Sequence, residues 1–473
     1  MIEGGSPELN TRMVVMALIA LVVLACPVAT KTVEDGVQAG KAVSTVSVVA
    51  GPQVLHASTT MQWGGHTFGY LLEGRKSVIW GARYFDPSAP VHGMNTAIIG
   101  QYPKPSSDTP AASTLIQCTE SNVTRVDQPY MVRTPDGYIH IFADYYVGNS
   151  GQMHGHIRYY RSSTPEDIRK LVQPFKSPSN PNGLVPEGLY AAAGFHCRMN
   201  VGISPDGKHM VIIALATRGK GNLPVLWRGT RRGRDFTFAG PTQYLPDWTA
   251  LFYPQISLTN QGEVFIVAEN WNEPAYCKST LLHLDANNNL VHREDLPQGP
   301  TGSHVCYDLR PRSGNDRSRL ILYAVNSVSE TVNTHELWQY DLAARQLTLL
   351  SSFEGGRLYG NPGKWLPFAS GGSVMINNPC LGRLATWEGN LLAGQAEMKI
   401  IPGADPISLG YTQVNYVMAP NPIYGSIVSN DRDFYIMSDC KNPNPPDNTG
   451  RPGEESGTFS LLLWRMRENV QRK

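Results

Sequence analysis

The chain has 473 residues, 40 Lys and Arg against 39 Asp and Glu, and a formal net charge of +1. That balance argues against a nucleic-acid-binding chain, which carries a basic excess, and against an acidic disordered one. Charged residues are 17%, below the ~25% usual for soluble domains, and 45 Gly, 35 Pro and 21 Tyr point to an all-β body of short strands.

The first element is the uncharged apolar run Val14 to Ala25, preceded by Arg12 and followed by Cys26-Pro27-Val28-Ala29-Thr30. It falls short of the ~20 residues a membrane-spanning helix needs. The small residues after it fit a secretory leader cut near Ala29. A retained signal anchor and lipidation of Cys26, in the loose box Val23-Leu24-Ala25-Cys26, are the alternatives. All three place the rest of the chain, 31–473, outside the cytoplasm as a single domain that is secreted, periplasmic or on the cell surface. Cys118, Cys197, Cys277, Cys306, Cys380 and Cys440 lie beyond the leader. Their even number permits three disulfides, and buried free thiols are the other reading. No two are spaced C-x-x-C, which disfavours a zinc knuckle.

Beyond the leader one strand pattern recurs, rich in β-branched and aromatic residues. Its copies begin at Ser77, Tyr138, His209, Val264, Leu320, Ser373 and Asp433, separated by 61, 71, 55, 56, 53 and 60 residues. Three are introduced by related turns, Thr134-Pro-Asp-Gly137, Ser204-Pro-Asp-Gly207 and Thr259-Asn-Gln-Gly262. Glycine supplies the positive φ such turns need. Partner strands follow, among them Ile157-Arg-Tyr-Tyr-Arg161, Val225-Leu-Trp-Arg228 and Glu336-Leu-Trp-Gln-Tyr340, and 341–350 reads as a turn into a fourth strand. Only 165–171, behind a Thr164 cap, has the look of a short helix. Repeated four-stranded units at this spacing predict an all-β fold, a seven-bladed β-propeller of four-stranded antiparallel blades. Two stacked sandwiches would not explain the even spacing.

A propeller fixes no function, so function has to come from polar residues at one face. The densest cluster lies in the second to fourth repeats. It comprises His154 and His156 before a partner strand, His196 and Arg198 before Gly207, Arg218 after the third recurrent strand, Tyr253 before Gly262, and Asn270-Trp271 closing the fourth. These residue types suit an anionic sugar. An aromatic ring stacks on the sugar, Arg pairs its carboxylate through two parallel hydrogen bonds, and His or Tyr moves protons. His209, His283 and His292 read as surface or strand residues. No ligand spacing calls for a metal, no cofactor is indicated, and a structural Ca2+ has no sequence signal.

At these residues the chain resembles secreted propeller proteins with sialidase-like BNR repeats, and among them the seven-bladed ulvan lyases and rhamnose–glucuronate lyases. The carriers are Asp127-Gln-Pro129, Pro135-Asp-Gly-Tyr-Ile-His-Ile-Phe142, Ile157-Arg-Tyr-Tyr-Arg-Ser162 and Tyr253-Pro254 before Gly262, over about residues 120–275. The resemblance implies a His shortly before the turn, matched by His196 although Phe195 replaces the family's Asp. It implies a second His, matched by His154 or His156, and a Tyr-Pro, matched by Tyr253. The Asp boxes of sialidases, S-x-D-x-G-x-T-W, are absent.

These readings together predict a polysaccharide lyase that cleaves a uronic-acid-containing polysaccharide by β-elimination. Catalysis would fall to His196, Tyr253, His154 and His156, and substrate binding to Arg198, Arg218, Asn270 and Trp271. The alternatives are a hydrolase using a carboxylate pair drawn from Glu187, Asp247, Glu269 and Glu273, and a sugar-binding or scaffold propeller without turnover. The expected partner is an acidic polysaccharide or oligosaccharide. No nucleic acid is expected, membrane contact would come only through an anchor or a lipidated Cys26, and the chain is expected to be a monomer.

Overall fold

The computed structural model describes residues 42–62, 70–84, 96–117, 123–147, 154–191, 199–218, 221–245, 252–270, 278–297, 304–312, 317–327, 332–356, 364–368, 372–377, 384–393, 395–411, 413–418, 433–441 and 456–472. The leader, Cys26, Cys118, Cys197, Cys277 and Cys380 lie outside them. The described elements are β-strands, apart from two single 3-10 turns at Leu391–Ala393 and Ile407–Leu409. Among the described residues no helix is long and apolar enough to cross a membrane.

The strands gather in chain order into four-stranded antiparallel units over 70–117, 123–172, 200–243, 252–295, 304–356 and 364–400. A closing unit combines three strands within 413–472 with Ala42–Gln62. One added strand, Leu184–Ala191, pairs beside His154–Thr164. The recurrent strand of the sequence is the second of each unit, and 346–356 supplies the fourth strand expected after Asp341.

Why these second strands form is visible in their packing. In His209–Arg218, Met210, Ile212 and Ala214 pack toward the preceding unit, while Val211, Ile213 and Leu215 pack toward the following one. Val264–Asn270 repeats this, with Val264, Ile266 and Ala268 on one side and Phe265 and Val267 on the other. Side chains alternate between the two faces of a strand. With both faces covered, the strand reads as one continuous apolar run. Each buried Ile, Leu or Val contributes roughly 1.5–3 kcal/mol.

The same alternation runs through every unit and closes on itself. Leu71, Val78, Trp80 and Ala82 of the first unit pack against Tyr435, Met437, Leu461 and Leu463 of the closing unit. Ala42–Gln62 lies antiparallel to Ser456–Arg472, from Ala42 opposite Arg472 to Gln62 opposite Ser456. The start of the described chain thus joins its end, and a ring of sheets joined this way has the arrangement of a β-propeller. The first strands converge on its middle: the Tyr70 hydroxyl donates to Asn200 Oδ1 at 3.0 Å, and Asn200 Nδ2 donates to the Pro254 carbonyl at 2.6 Å. These three residues belong to the first, third and fourth units.

Two expectations are corrected. Residues 165–171 are not helical: Glu166 has φ of 51°, outside the right-handed helix region, and Asp167–Val172 is a strand. The Glu166 carboxylate explains the kink, because it accepts the Arg75 and Lys76 amides at 2.8 and 2.7 Å and pairs with Arg133 at 2.5 Å. The six outer cysteines do not all join in disulfides either. Cys306 and Cys440 are free thiols packed inside two apolar clusters.

Candidate functional site

Because strand directions alternate, the start of each first strand, the end of each second and the start of each third share one end of the sheets. Tyr253 is the second residue of Phe252–Leu258, Arg218 closes His209–Arg218, Asn270 closes Val264–Asn270 and His154 opens His154–Thr164. The register agrees: Phe252 lies opposite Glu269, Asn270 opposite Lys278, Arg218 opposite Gly221 and His154 opposite Val147. His156, half-buried, lies two residues further on, opposite Tyr145 and Leu189. Five sequence candidates therefore stand at one end of three successive units. His196, Arg198 and Trp271 lie outside the described residues, as do Asp247 and Glu273. Glu187 falls within the added strand Leu184–Ala191.

Glu269 is the candidate carboxylate whose surroundings are described. It is 1% exposed, stands one residue before the end of its strand, and continues the Phe265–Val267 face toward the fifth unit. Facing it from that unit is Cys306, whose backbone N–H donates to Ser279 Oγ at 3.1 Å and whose thiol donates to the Asp308 carbonyl at 3.3 Å. Burial, reinforced by the charges of Asp308 and Glu269, pushes the Cys306 thiol well above its ordinary range. It is therefore protonated and a poor nucleophile.

The sequence reading missed the charges beyond Cys306. Asp308 Oδ2 accepts the Trp365 amide at 3.2 Å and lies 2.7 Å from Arg310 Nε, both side chains being buried. Lys364, half-buried on the first strand of the next unit, has its pKa lowered by burial and by Arg310, against the pull of Asp308. An Asp and an Arg two residues apart within the strand His304–Pro311 are a readable signal for a buried ion pair. Asp308 ties two units together, whereas Glu269 stands next to the strand end where the polar candidates gather. Among the described residues no group of three His, Cys, Asp or Glu is placed to hold a metal ion.

No family model matches the chain, and no curated protein matches it. Among solved structures it is similar to a Dyadobacter fermentans protein of unknown function, at 10% identity and a TM-score of 0.43 over 89% of this chain and 99% of that one. It is also similar to Penicillium chrysogenum alpha-L-arabinanase complexed with arabinobiose, at 11% identity and 0.39 over 71% and 92%. Trypanosoma rangeli sialidase gives 7% identity and 0.41 over 89% and 59%. At these distances the functional reading rests on the site itself.

Proposed function

We propose that the chain is a secreted, single-domain, seven-bladed β-propeller enzyme that hydrolyses an acidic polysaccharide or oligosaccharide, with Glu269 as one of its two carboxylates. The observation that carries this is the position of Glu269. It is a buried carboxylate one residue from a strand end at which His154, Arg218, Tyr253 and Asn270 also stand. Glycoside hydrolysis needs one carboxyl to protonate the leaving oxygen and a second to attack the sugar or to activate water. Glu269 takes the first role. Its partner is sought among Asp247 and Glu273, which in sequence flank the same strand ends, and Glu187 of the added strand Leu184–Ala191.

A second reading, β-elimination with Tyr253 and His154 or His156 moving the protons, is supported by the shared strand end of these residues with Arg218. The two reactions leave different products. Incubation with uronic-acid polysaccharides, read for new reducing ends and for absorbance at 235 nm, separates them. Hydrolysis yields reducing ends without absorbance, and Glu269→Gln lowers that rate by about 10²–10⁴-fold. A rise at 235 nm that survives in Glu269→Gln and is lost in Tyr253→Phe replaces hydrolysis with elimination. Neither signal on any polymer leaves a binding propeller.

A further inference from the structure

We propose a second carbohydrate site at the opposite end of the sheets, a non-catalytic pocket that takes the carboxylate of an acidic sugar unit on Arg317. The proposal rests on the carbohydrate reading above for the class of ligand, and on separate geometry for the site. A cavity of about 190 Å³ opens between the fourth and fifth units. It lies beside the turn that holds Asn260 and Gln261, the turn joining Phe252–Leu258 to Val264–Asn270 and so pointing away from the strand ends of the candidate site.

The polar groups around this cavity are unequally engaged. Glu263 is held in place, with Oε2 accepting from the Thr259 hydroxyl at 3.3 Å and Oε1 lying 3.2 Å from His283 Nε2. Asn260 Oδ1 accepts the Asp206 amide at 2.9 Å, which fixes the side chain of Asn260 at the rim. Arg317 and Gln261 are exposed, and neither side chain has a hydrogen bond or ion pair among the described residues. The unused donors are thus a guanidinium fork and an amide, and the floor beneath them is apolar, formed by Leu320 and Leu342.

An acidic sugar matches each of these features. Its carboxylate takes two parallel hydrogen bonds from Arg317, the geometry for which a guanidinium is shaped. Its hydroxyls donate to the remaining lone pairs of Glu263 and accept from the Gln261 amide. Its C–H face covers Leu320 and Leu342. A neutral sugar forfeits the Arg317 contact, and an aliphatic carboxylate forfeits the hydroxyl contacts.

Titration of the full chain by calorimetry or ligand-observed NMR tests this, with D-glucuronate, D-glucose and hexanoate as probes. The expected result is that glucuronate binds about tenfold more tightly than either of the others, and that Arg317→Ala weakens it about tenfold. Arg317→Lys, which keeps the charge and loses the fork, recovers only part of the affinity, and Glu269→Gln leaves it unchanged. Because Arg317 is exposed, both of its variants keep the fold. Equal binding of hexanoate or of glucose overturns the proposal, as does binding that ignores Arg317 or that disappears in Glu269→Gln. If Glu269→Gln retains full hydrolytic activity while glucuronate binding still needs Arg317, the hydrolase reading falls and this site stands.

Discussion

Glu166 holds the first and second units together, and removing its charge is the most direct test of how the ring is built. Its side chain is 6% exposed, and that of its partner Arg133 is 2% exposed. One carboxylate oxygen accepts Arg133 Nε at 2.9 Å, Arg133 Nη2 at 2.5 Å and the Arg75 amide at 2.8 Å, while the other accepts the Lys76 amide at 2.7 Å. Gly74 permits this approach, since a Cβ there would lie 2.6 Å from the carboxylate. Glu166→Gln keeps the shape and leaves a buried guanidinium without its counter-charge, a loss of roughly 3–5 kcal/mol. That is a large fraction of the roughly 5–15 kcal/mol that holds a typical folded domain. Burial opposes the Glu166 charge, but the Lys76 and Arg75 amides and Arg133 outweigh it, so its folded pKa lies below the ordinary value of 4.5. A depressed carboxylate stabilises the fold above its unfolded pKa, and that contribution is lost as pH falls through the folded value. Urea unfolding followed by tryptophan fluorescence should therefore show a lower midpoint for Glu166→Gln at pH 7 and a narrowing gap to the wild type below about pH 4.5. The double variant Arg133→Met/Glu166→Gln should recover most of the loss, because the stranded charge goes with it. A loss below about 1 kcal/mol, in the range of a surface pair, would refute the reasoning.

Glu73 has the opposite sign. Burial raises its pKa to about 7 despite Lys104 at 2.5 Å, with Asp433 adding to the rise. A raised folded pKa means stability that is fully present below the unfolded value and is lost as pH rises toward 7. Glu73→Gln should therefore lose less stability than the wild type between pH 5 and pH 8, and equal slopes of unfolding midpoint against pH would contradict this. The ring closure gives a further prediction. Deleting residues 42–62 leaves Ser456–Arg472 as a long unpaired edge, and exposed edges of this kind recruit other chains. Size-exclusion chromatography should show oligomers or precipitate, and a folded monomer would show that the Ala42–Gln62 pairing is dispensable.

How much of this could be read from the sequence follows from what each residue is buried against. The second strands were legible because both their faces are covered, so runs such as Met210 to Leu215 are apolar at every position. The first strands were harder to read. Asn200 and Tyr70 are polar residues that turn toward the middle of the ring, and their partners lie 130 residues apart in the chain. The segment around Glu166 reads as a helix start because a Pro, two acids and a basic pair after Thr164 satisfy helix-start statistics, whereas in the fold its carboxylate is fixed by amides some 90 residues earlier.

The candidate site is legible by the same logic run in reverse. Inside a strand covered on both faces, a charge costs several kcal/mol unless it is paired or bonded, so every such residue calls for a reason. Asp308 has one, since Arg310 and the Trp365 amide satisfy it and join two units. The acid in Val264-Phe-Ile-Val-Ala-Glu-Asn270 differs because it falls next to the strand end where Tyr253, Arg218 and His154 are also placed. A structural acid is best placed in the interior of the sheet, where it can bridge units, and a chemical one near a strand end, where a substrate can reach. The position of Glu269 along its strand, more than its burial, is what separates it from Asp308.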